Sequence, residues 1–330
     1  MIEITNNIDE AAWEKLVENS SNSTFFQTKE CYDFYASLSF LEPFICGVTE
    51  DGKLKGLVCG YIVANGGKLK RFFSRRAIIH GGPMLADDIS NEALAILLKQ
   101  TRKNLERKAI YIEFRNSNNY SIYRSVFEEN DFQYLPHLNY TVNTQYADKI
   151  TNKISESKRR QIRKAKLKGV EVIETNAQKD IDEFYAILFR LYQNKVKKPL
   201  FPKEFFEKMV SLPHAHLFVA KYDNRIISGM ACVTYKNETV YEWFVCGDKE
   251  MYNHLYPSVA ITNAAVEYAA KNGFMKFDFM GAGKPDEEYG VREFKEKFGG
   301  KLVEYGRYIC VNSNLLYKIG AKTINLIRKF

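Results

Sequence analysis

Residues 217–247, LFVAKYDNRIISGMACVTYKNETVYEWFVCG, read as three strands joined by tight turns at Asp223-Asn224 and Lys236-Asn237. Polar pairs interrupt the apolar runs. A helical stretch over Tyr256–Asn272 follows, stopped at Gly273, and then a strand in FMKFDFMG and another in KLVEYGRYICV. Three helices precede the meander, at Ser157–Gly169, Ala177–Lys195 and the shorter Pro202–Ser211. Consecutive short strands followed by a long helix and a further strand restrict the fold to a mixed α/β unit.

The first half has the same order of elements. A helix over 9–19 places Ala12, Trp13, Leu16 and Val17 at helical spacing. The strand-like runs PFICGVTE, KLKGLVCGYIVA and LKRFFSRRAIIHGGPML come next, with turns at Asp51-Gly52 and Gly66-Gly67. Asn91 to Lys108 is a helix with Leu94, Leu97, Leu98 and Leu105 on its apolar side. AIYIEFR is a strand, a helix near 120–129 follows, and YLPHLNYTVN is a further strand. Two such units suit 330 residues, at roughly 150 per domain. The expected boundaries are 1–145 and 146–311, with the join in the polar stretch near 140–152 and a carboxyl-terminal helix, 312–330, returning to the first domain.

With 45% apolar and 27% charged residues the chain is globular rather than disordered. The amino-terminal residues carry acids and no apolar run, unlike a secretory signal. No apolar stretch approaches the ~18 residues of a membrane span. A cytoplasmic protein is expected. The six cysteines form no C-x-x-C pair and sit mostly in apolar runs, as buried thiols do. His214 and His216 have no third ligand beside them in sequence, so no metal site is expected. The net charge of +8 is compatible with an anionic partner without requiring one.

Three segments are candidates for chemistry. From 158 to 168, seven of eleven residues are basic, and only Ile162 and Ala165 face inward. This is either a solvated helix face or a site where Arg159, Arg160, Arg163 and Lys164 meet the phosphates of tRNA or another polyanion. The second is Phe277-Asp278-Phe279-Met280-Gly281-Ala282-Gly283-Lys284-Pro285. Pro285 occupies the place where a Walker loop needs Ser or Thr, so a plain strand exit is expected there. The third runs from Tyr289 to Gly300, where Val291, Phe294, Lys295 and Phe298 share one helical face. A lysine within an apolar stripe either snorkels or does chemistry, because burying an unpaired ammonium is unfavourable.

The pattern G-V-x-x-F-K-x-x-F at Gly290–Phe298, after the strand F-D-F-M-G, resembles the FemABX family of tRNA-dependent aminoacyltransferases that build peptidoglycan cross-bridges. R-x-x-x-R-K-A-x-x-x-G-V, from Arg159 to Val170, is similar to a second block, and Tyr256–Gly273 to a third. In the first half only Phe26-Gln27 and Gly82-Pro83 are similar. The resemblance implies two tandem GNAT-like acyltransferase domains and transfer of an amino acid from aminoacyl-tRNA, as co-substrate without a tightly bound cofactor, to an amine of a peptidoglycan precursor. It implies catalytic roles for Lys295 and Phe294, with the lysine stabilising the transition state, and it points to Asp278, Lys195, Tyr35 and Tyr256 for substrate binding. Lys295→Met is expected to keep the fold and remove turnover. Lys195 stands where family members often carry arginine, with Lys197 and Lys198 as neighbours able to replace it, and Tyr35 where a phosphate-binding lysine is usual. Those departures question a nucleotide-linked acceptor.

Two other readings stay open. One is a CoA-dependent N-acyltransferase acting on an amino sugar of a surface polysaccharide, although no R/Q-x-x-G-x-G/A loop follows any strand. The other is a catalytically silent module that binds nucleic acid or polysaccharide. The carboxyl-terminal stretch LLYKIGAKTINLIRKF either packs on the first domain or rests on the anionic inner face of the membrane near a lipid-linked acceptor.

Overall fold

The computed structural model describes residues 1–67, 71–145, 152–287 and 289–320. The chain divides into two compact units: residues 1–136 together with the segment that begins at Tyr305, and residues 137–304. Each is built on one mixed sheet.

The first unit contains β1 (Ile2–Thr5), β2 (Leu41–Glu50), β3 (Lys53–Val63), β4 (Arg76–Gly81), β5 (Met84–Leu85), β6 (Tyr111–Asn116) and β7 (Gln133–Leu135). The second contains β8 (Leu138–Asn143), β9 (Glu171–Glu174), β10 (Ala215–Tyr222), β11 (Arg225–Tyr235), β12 (Thr239–Gly247), β13 (Lys276–Asp278) and β14 (Lys301–Glu304). The last strand, β15 (Arg307–Val311), returns to the first. The strand orders are β1-β2-β3-β4-β6-β15-β7, with β5 beside β3, and β9-β10-β11-β12-β13-β8-β14. They correspond position by position. In both sheets one parallel pair, β4 with β6 and β12 with β13, sits among antiparallel neighbours.

A helix makes each parallel crossover. In the first unit it is Asn91–Leu105, started by the Ser90 side chain, which accepts from the Ala93 amide. It buries Ala93, Leu94, Leu97, Leu98 and Leu105. In the second unit it is Pro257–Lys271, which opens on proline and buries small residues such as Ala260, Ala265 and Ala269. The tight turns fall as their sequences require. Asp223 and Asn224 both take positive φ (47° and 59°), the geometry that matches the twist of paired strands.

Three expectations are corrected. YLPHLNYTVN is two strands rather than one: the chain leaves the first sheet after β7, passes Pro136, and β8 enters the second sheet between β13 and β14. KLVEYGRYICV likewise divides at Tyr305-Gly306, where β14 stays in the second sheet and β15 slots between β6 and β7. The divisions therefore fall at 136/137 and 304/305 instead of 145/146 and 311/312, which places β8 in the second unit and β15 in the first. The third correction concerns LKRFFSRRAIIHGGPML, whose strand begins only at Arg76. Residues 71–72 are helical, and Ser74 Oγ accepts from the Asn65 amide, which closes the loop before β4.

Of the expected carboxyl-terminal helix, 314–320 is helical, and Tyr317 lies edge-on to Tyr111 at 5.4 Å between ring centroids. Ile324, Ile327, Lys322, Arg328 and Lys329 lie outside the described residues, as do 146–151 of the join expected near 140–152.

Candidate active site around Lys295

Lys295 lies on the short helix Gly290–Glu296 and is only 7% exposed. Its ammonium donates to the Phe279 carbonyl at 2.7 Å and to the Gly281 carbonyl at 2.9 Å. It also stands 3.1 Å from Glu242 Oε1, the carboxylate of a residue that is 5% exposed on β12. Three ammonium hydrogens thus meet three oxygens, which resolves the sequence puzzle of a lysine in an apolar stripe. Burial pushes the Glu242 carboxyl above its ordinary range, against the lowering effect of Lys295. A bulge between Ala231/Cys232 and Glu242/Phe244 leaves Trp243 as the extra residue beside Glu242.

The strand-exit loop is held from both sides. Asp278 is 1% exposed, and its Oδ1 accepts from Asn139 Nδ2 and from the Met280 amide, both at 2.7 Å. Asn139 Oδ1 in turn accepts from the Gly281 amide at 2.8 Å. Burial raises the Asp278 carboxyl, with those hydrogen bonds opposing. Arg292 spreads its guanidinium over the carbonyls of Ala282, Lys284, Pro285 and Glu287. Loop carbonyls therefore converge on two cations, the reverse of a phosphate nest, in which amides converge on an anion. The expected plain strand exit agrees with this wiring.

A second cation was hidden in the basic run. Lys158, on the helix Glu156–Leu167, is 9% exposed and holds its ammonium 4.3 Å from the centroid of the Phe294 ring. Lys249 approaches the same ring at 5.9 Å. Burial, then Lys249 and Lys297, pull the Lys158 ammonium down to about 8. Phe294 also packs on Phe298 at 5.1 Å and is half-buried, so its ring is a cation platform beside Lys295 in sequence.

Residues 152–296 match the acetyltransferase (GNAT) domain family. FemX superposes with a TM-score of 0.71 at 15% identity, over 96% of this chain and 99% of that one. L-PGS from Bacillus licheniformis gives 0.60 at 15% identity, over 98% and 99%. A tandem GNAT protein from the clavulanic acid biosynthesis pathway gives 0.60 at 10% identity, over 95% and 99%. None of the curated proteins compared matches the sequence. At such identities the structural likeness is one of fold, and it spans both units. The chain is an acyltransferase of the tandem GNAT fold.

Within this acyltransferase the other expected site residues take varied positions. Asp278 is sealed inside the strand-exit network, so burial keeps it from meeting a substrate directly. Tyr35 is 2% exposed with its ring 4.7 Å from Tyr61, packed in the interior of the first unit rather than offered to a phosphate. Lys195 lies exposed on the π-helical turn Tyr192–Val196, 3.5 Å from Glu250. Tyr256 takes a left-handed conformation (φ 55°) just before Pro257 and rests half-buried against the core. Arg160, Arg163 and Lys164 are exposed on the basic helix, and Arg159 is half-buried. The two first-half marks meet: Gln27 Nε2 donates to the Gly82 carbonyl at 2.8 Å, and Phe26 lies 5.3 Å from the His80 ring.

Glu242, Asn139 and Lys158 were not singled out from the sequence. A charged residue two positions after the core residue Val240, in an otherwise apolar and aromatic strand, was a usable sign for Glu242. Asn139 and Lys158 carried none.

Proposed function

We propose that this acyltransferase moves an amino acid from aminoacyl-tRNA to an amine of a peptidoglycan precursor, with Lys295 at the developing oxyanion. The observation that carries the reading is the buried Lys295 ammonium, held by Glu242 at the mouth of the β13 exit. An ammonium in a dry, pre-formed site stabilises negative charge far better than one in water. Its bond to Gly281 is the less buried of the two carbonyl bonds, so a substrate oxygen exchanges there while Glu242 and Phe279 keep the charge in place. In the reaction the acceptor nitrogen bonds to the ester carbonyl carbon, and the carbon–oxygen bond to the ribose breaks. The proton lost from nitrogen ends on the released ribose hydroxyl. Lys295 changes no protonation state in this scheme. Phe294, the residue before Lys295, holds the Lys158 ammonium on its ring, and Arg159, Arg160, Arg163 and Lys164 offer the tRNA backbone a salt-sensitive surface.

The tandem fold shared with FemX and with L-PGS supports this reading. Among the described residues no helix is long and apolar enough to cross a membrane. Contact of the 314–320 helix with the inner membrane surface would bring a lipid-linked acceptor within reach.

The acetyltransferase-domain match favours a second reading, CoA-dependent transfer to an amino sugar. That chemistry needs glycines and free amides where a helix opens on the cofactor's pyrophosphate. In the second unit the segment before Pro257–Lys271, DKEMYNHLY, contains no glycine. In the first, the corresponding segment carries Asp87 and Asp88, which disfavour an anion. Labelled aminoacyl-tRNA and labelled acetyl-CoA, each incubated with peptidoglycan and polysaccharide precursors, separate the two. Label moving from tRNA, with initial rates falling steeply as salt rises, supports the proposal. Label moving only from acetyl-CoA overturns it.

A further inference from the structure

The first unit holds a cavity of about 560 Å³ that the reaction proposed above does not use. It opens where β3 ends and β4 begins, beside the carboxyl-terminal end of the helix Asn91–Leu105. Arg71, Arg75, Arg107 and Lys108 line it, with Glu42 as the one acid. Lys108 already lies 2.7 Å from Glu42, so that pair neutralises itself. Among the described residues no carboxylate lies within ion-pair distance of Arg71, Arg75 or Arg107. Three guanidinium groups around one concavity, with no anion to balance them, repel one another and draw an anionic ligand in.

Arg75 carries the argument further. Its Nε is buried and has no acceptor among the described residues. Its guanidinium lies 4.8 Å from the centroid of the Phe72 ring, which fixes the plane of the fork. A buried donor without an acceptor is unfavourable, and a planar fork with free N–H groups matches the tetrahedral oxygens of a phosphate. The volume lies within the usual range for a site that encloses a small molecule.

The rim is apolar. Phe72 and Phe73 are 49% and 38% exposed, and the 314–320 helix comes close enough that a Cβ on Gly320 would lie 3.8 Å from the Phe73 carbonyl. That helix exposes Leu315 and Ile319. Cations lining the cavity together with the exposed Phe72 ring suit a phosphate that carries an apolar substituent.

We propose that this cavity binds a phosphate-bearing ligand, through Arg71, Arg75 and Arg107. A free phosphorylated molecule and the headgroup of an anionic lipid present the same chemistry to the three guanidinium groups. Two probes separate the sources. Inorganic pyrophosphate is titrated by calorimetry, and phosphatidylcholine vesicles with or without phosphatidylglycerol are tested by co-sedimentation, with wild type and with Arg71→Glu/Arg107→Glu. Both substituted side chains are exposed, so the fold is expected to persist, as far-UV dichroism checks. Each cation near an anionic surface is equivalent to about fivefold in affinity, so loss of two cations alone weakens binding roughly thirtyfold, and the two introduced carboxylates make the double variant weaker still. Binding of pyrophosphate alone, lost in the variant, supports the site as one for a soluble phosphate. Binding of phosphatidylglycerol vesicles, lost in the variant, supports a lipid headgroup. Failure of wild type to bind either probe, or equal binding by the variant, overturns the proposal. Should the variant misfold, hydrogen exchange of wild type with and without each probe decides: slowed exchange across 71–76 supports the site, and unchanged exchange there overturns it.

Discussion

Removing the Lys295 ammonium tests the physical core of the proposed site, because the structure predicts a stability effect as well as a kinetic one. In Lys295→Met, Glu242 stays 5% exposed and loses the cation 3.1 Å from its carboxylate, and the Phe279 carbonyl loses a buried donor. Breaking one half of a buried ion pair destabilises by about 3–5 kcal/mol, because the remaining charge is left desolvated. The original expectation that this variant simply keeps its fold therefore changes: the second unit is expected to lose about that much at neutral pH, read by urea denaturation. The pH dependence gives the sign. Burial already raises the Glu242 carboxyl, and without Lys295 it rises further. A carboxyl whose folded value lies above its unfolded one binds more protons in the fold, so stability grows as pH falls through the folded value toward the unfolded one, about 4.3. The penalty of Lys295→Met should shrink on acidification from pH 7 toward 5. Lys295→Met/Glu242→Gln removes the orphaned charge and should recover at least half of the loss at pH 7, with turnover still absent. A single variant as stable as wild type at neutral pH, or no recovery in the double variant, would refute the reasoning.

Two further outcomes follow from the same geometry. Lys158 has a folded value near 8 against an unfolded one of about 10.4, so the fold binds fewer protons and stability rises with pH across that window. Lys158→Met should accordingly be more stable than wild type by about 1 kcal/mol at pH 7, after allowing for partial solvent screening, and the advantage should vanish above pH ~10.4 in thermal melts. Gly306 has φ 65°, and a Cβ there would lie 2.2 Å from the Tyr134 ring. Gly306→Ala should destabilise the first unit by about 2–4 kcal/mol, since strain and overpacking add; an unchanged urea midpoint would show that β15 does not need this turn.

Much of the local structure was legible in residue order. Asp223-Asn224 and Gly273 mark a turn and a helix stop through backbone preferences that belong to a few consecutive residues. The stripe Phe294, Lys295, Phe298 was readable because helical spacing needs no knowledge of what lies opposite. What lies opposite was not readable. Glu242 is 53 residues before Lys295 (295 − 242), and Asn139 is 139 residues before Asp278. Strand pairing of β8 with β13 brings Asn139 to Asp278, and the packing of the helix Gly290–Glu296 brings Lys295 to Glu242.

The amino-acid sequence by itself determined the two series of strands and helices, the inward lysine and the absence of a glycine cradle at the helix starts. Tertiary structure alone decided that β8 joins the second sheet and β15 the first, each across the boundary expected from the sequence. It also decided that Tyr35 and Asp278 are interior groups, and that one lysine of a basic run is buried on an aromatic ring. The reason is physical. Periodicity and turn preference act over a few residues, whereas a strand's partner depends on which sheet positions remain open, and the charge state of a buried group depends on every neighbour that folding brings to it.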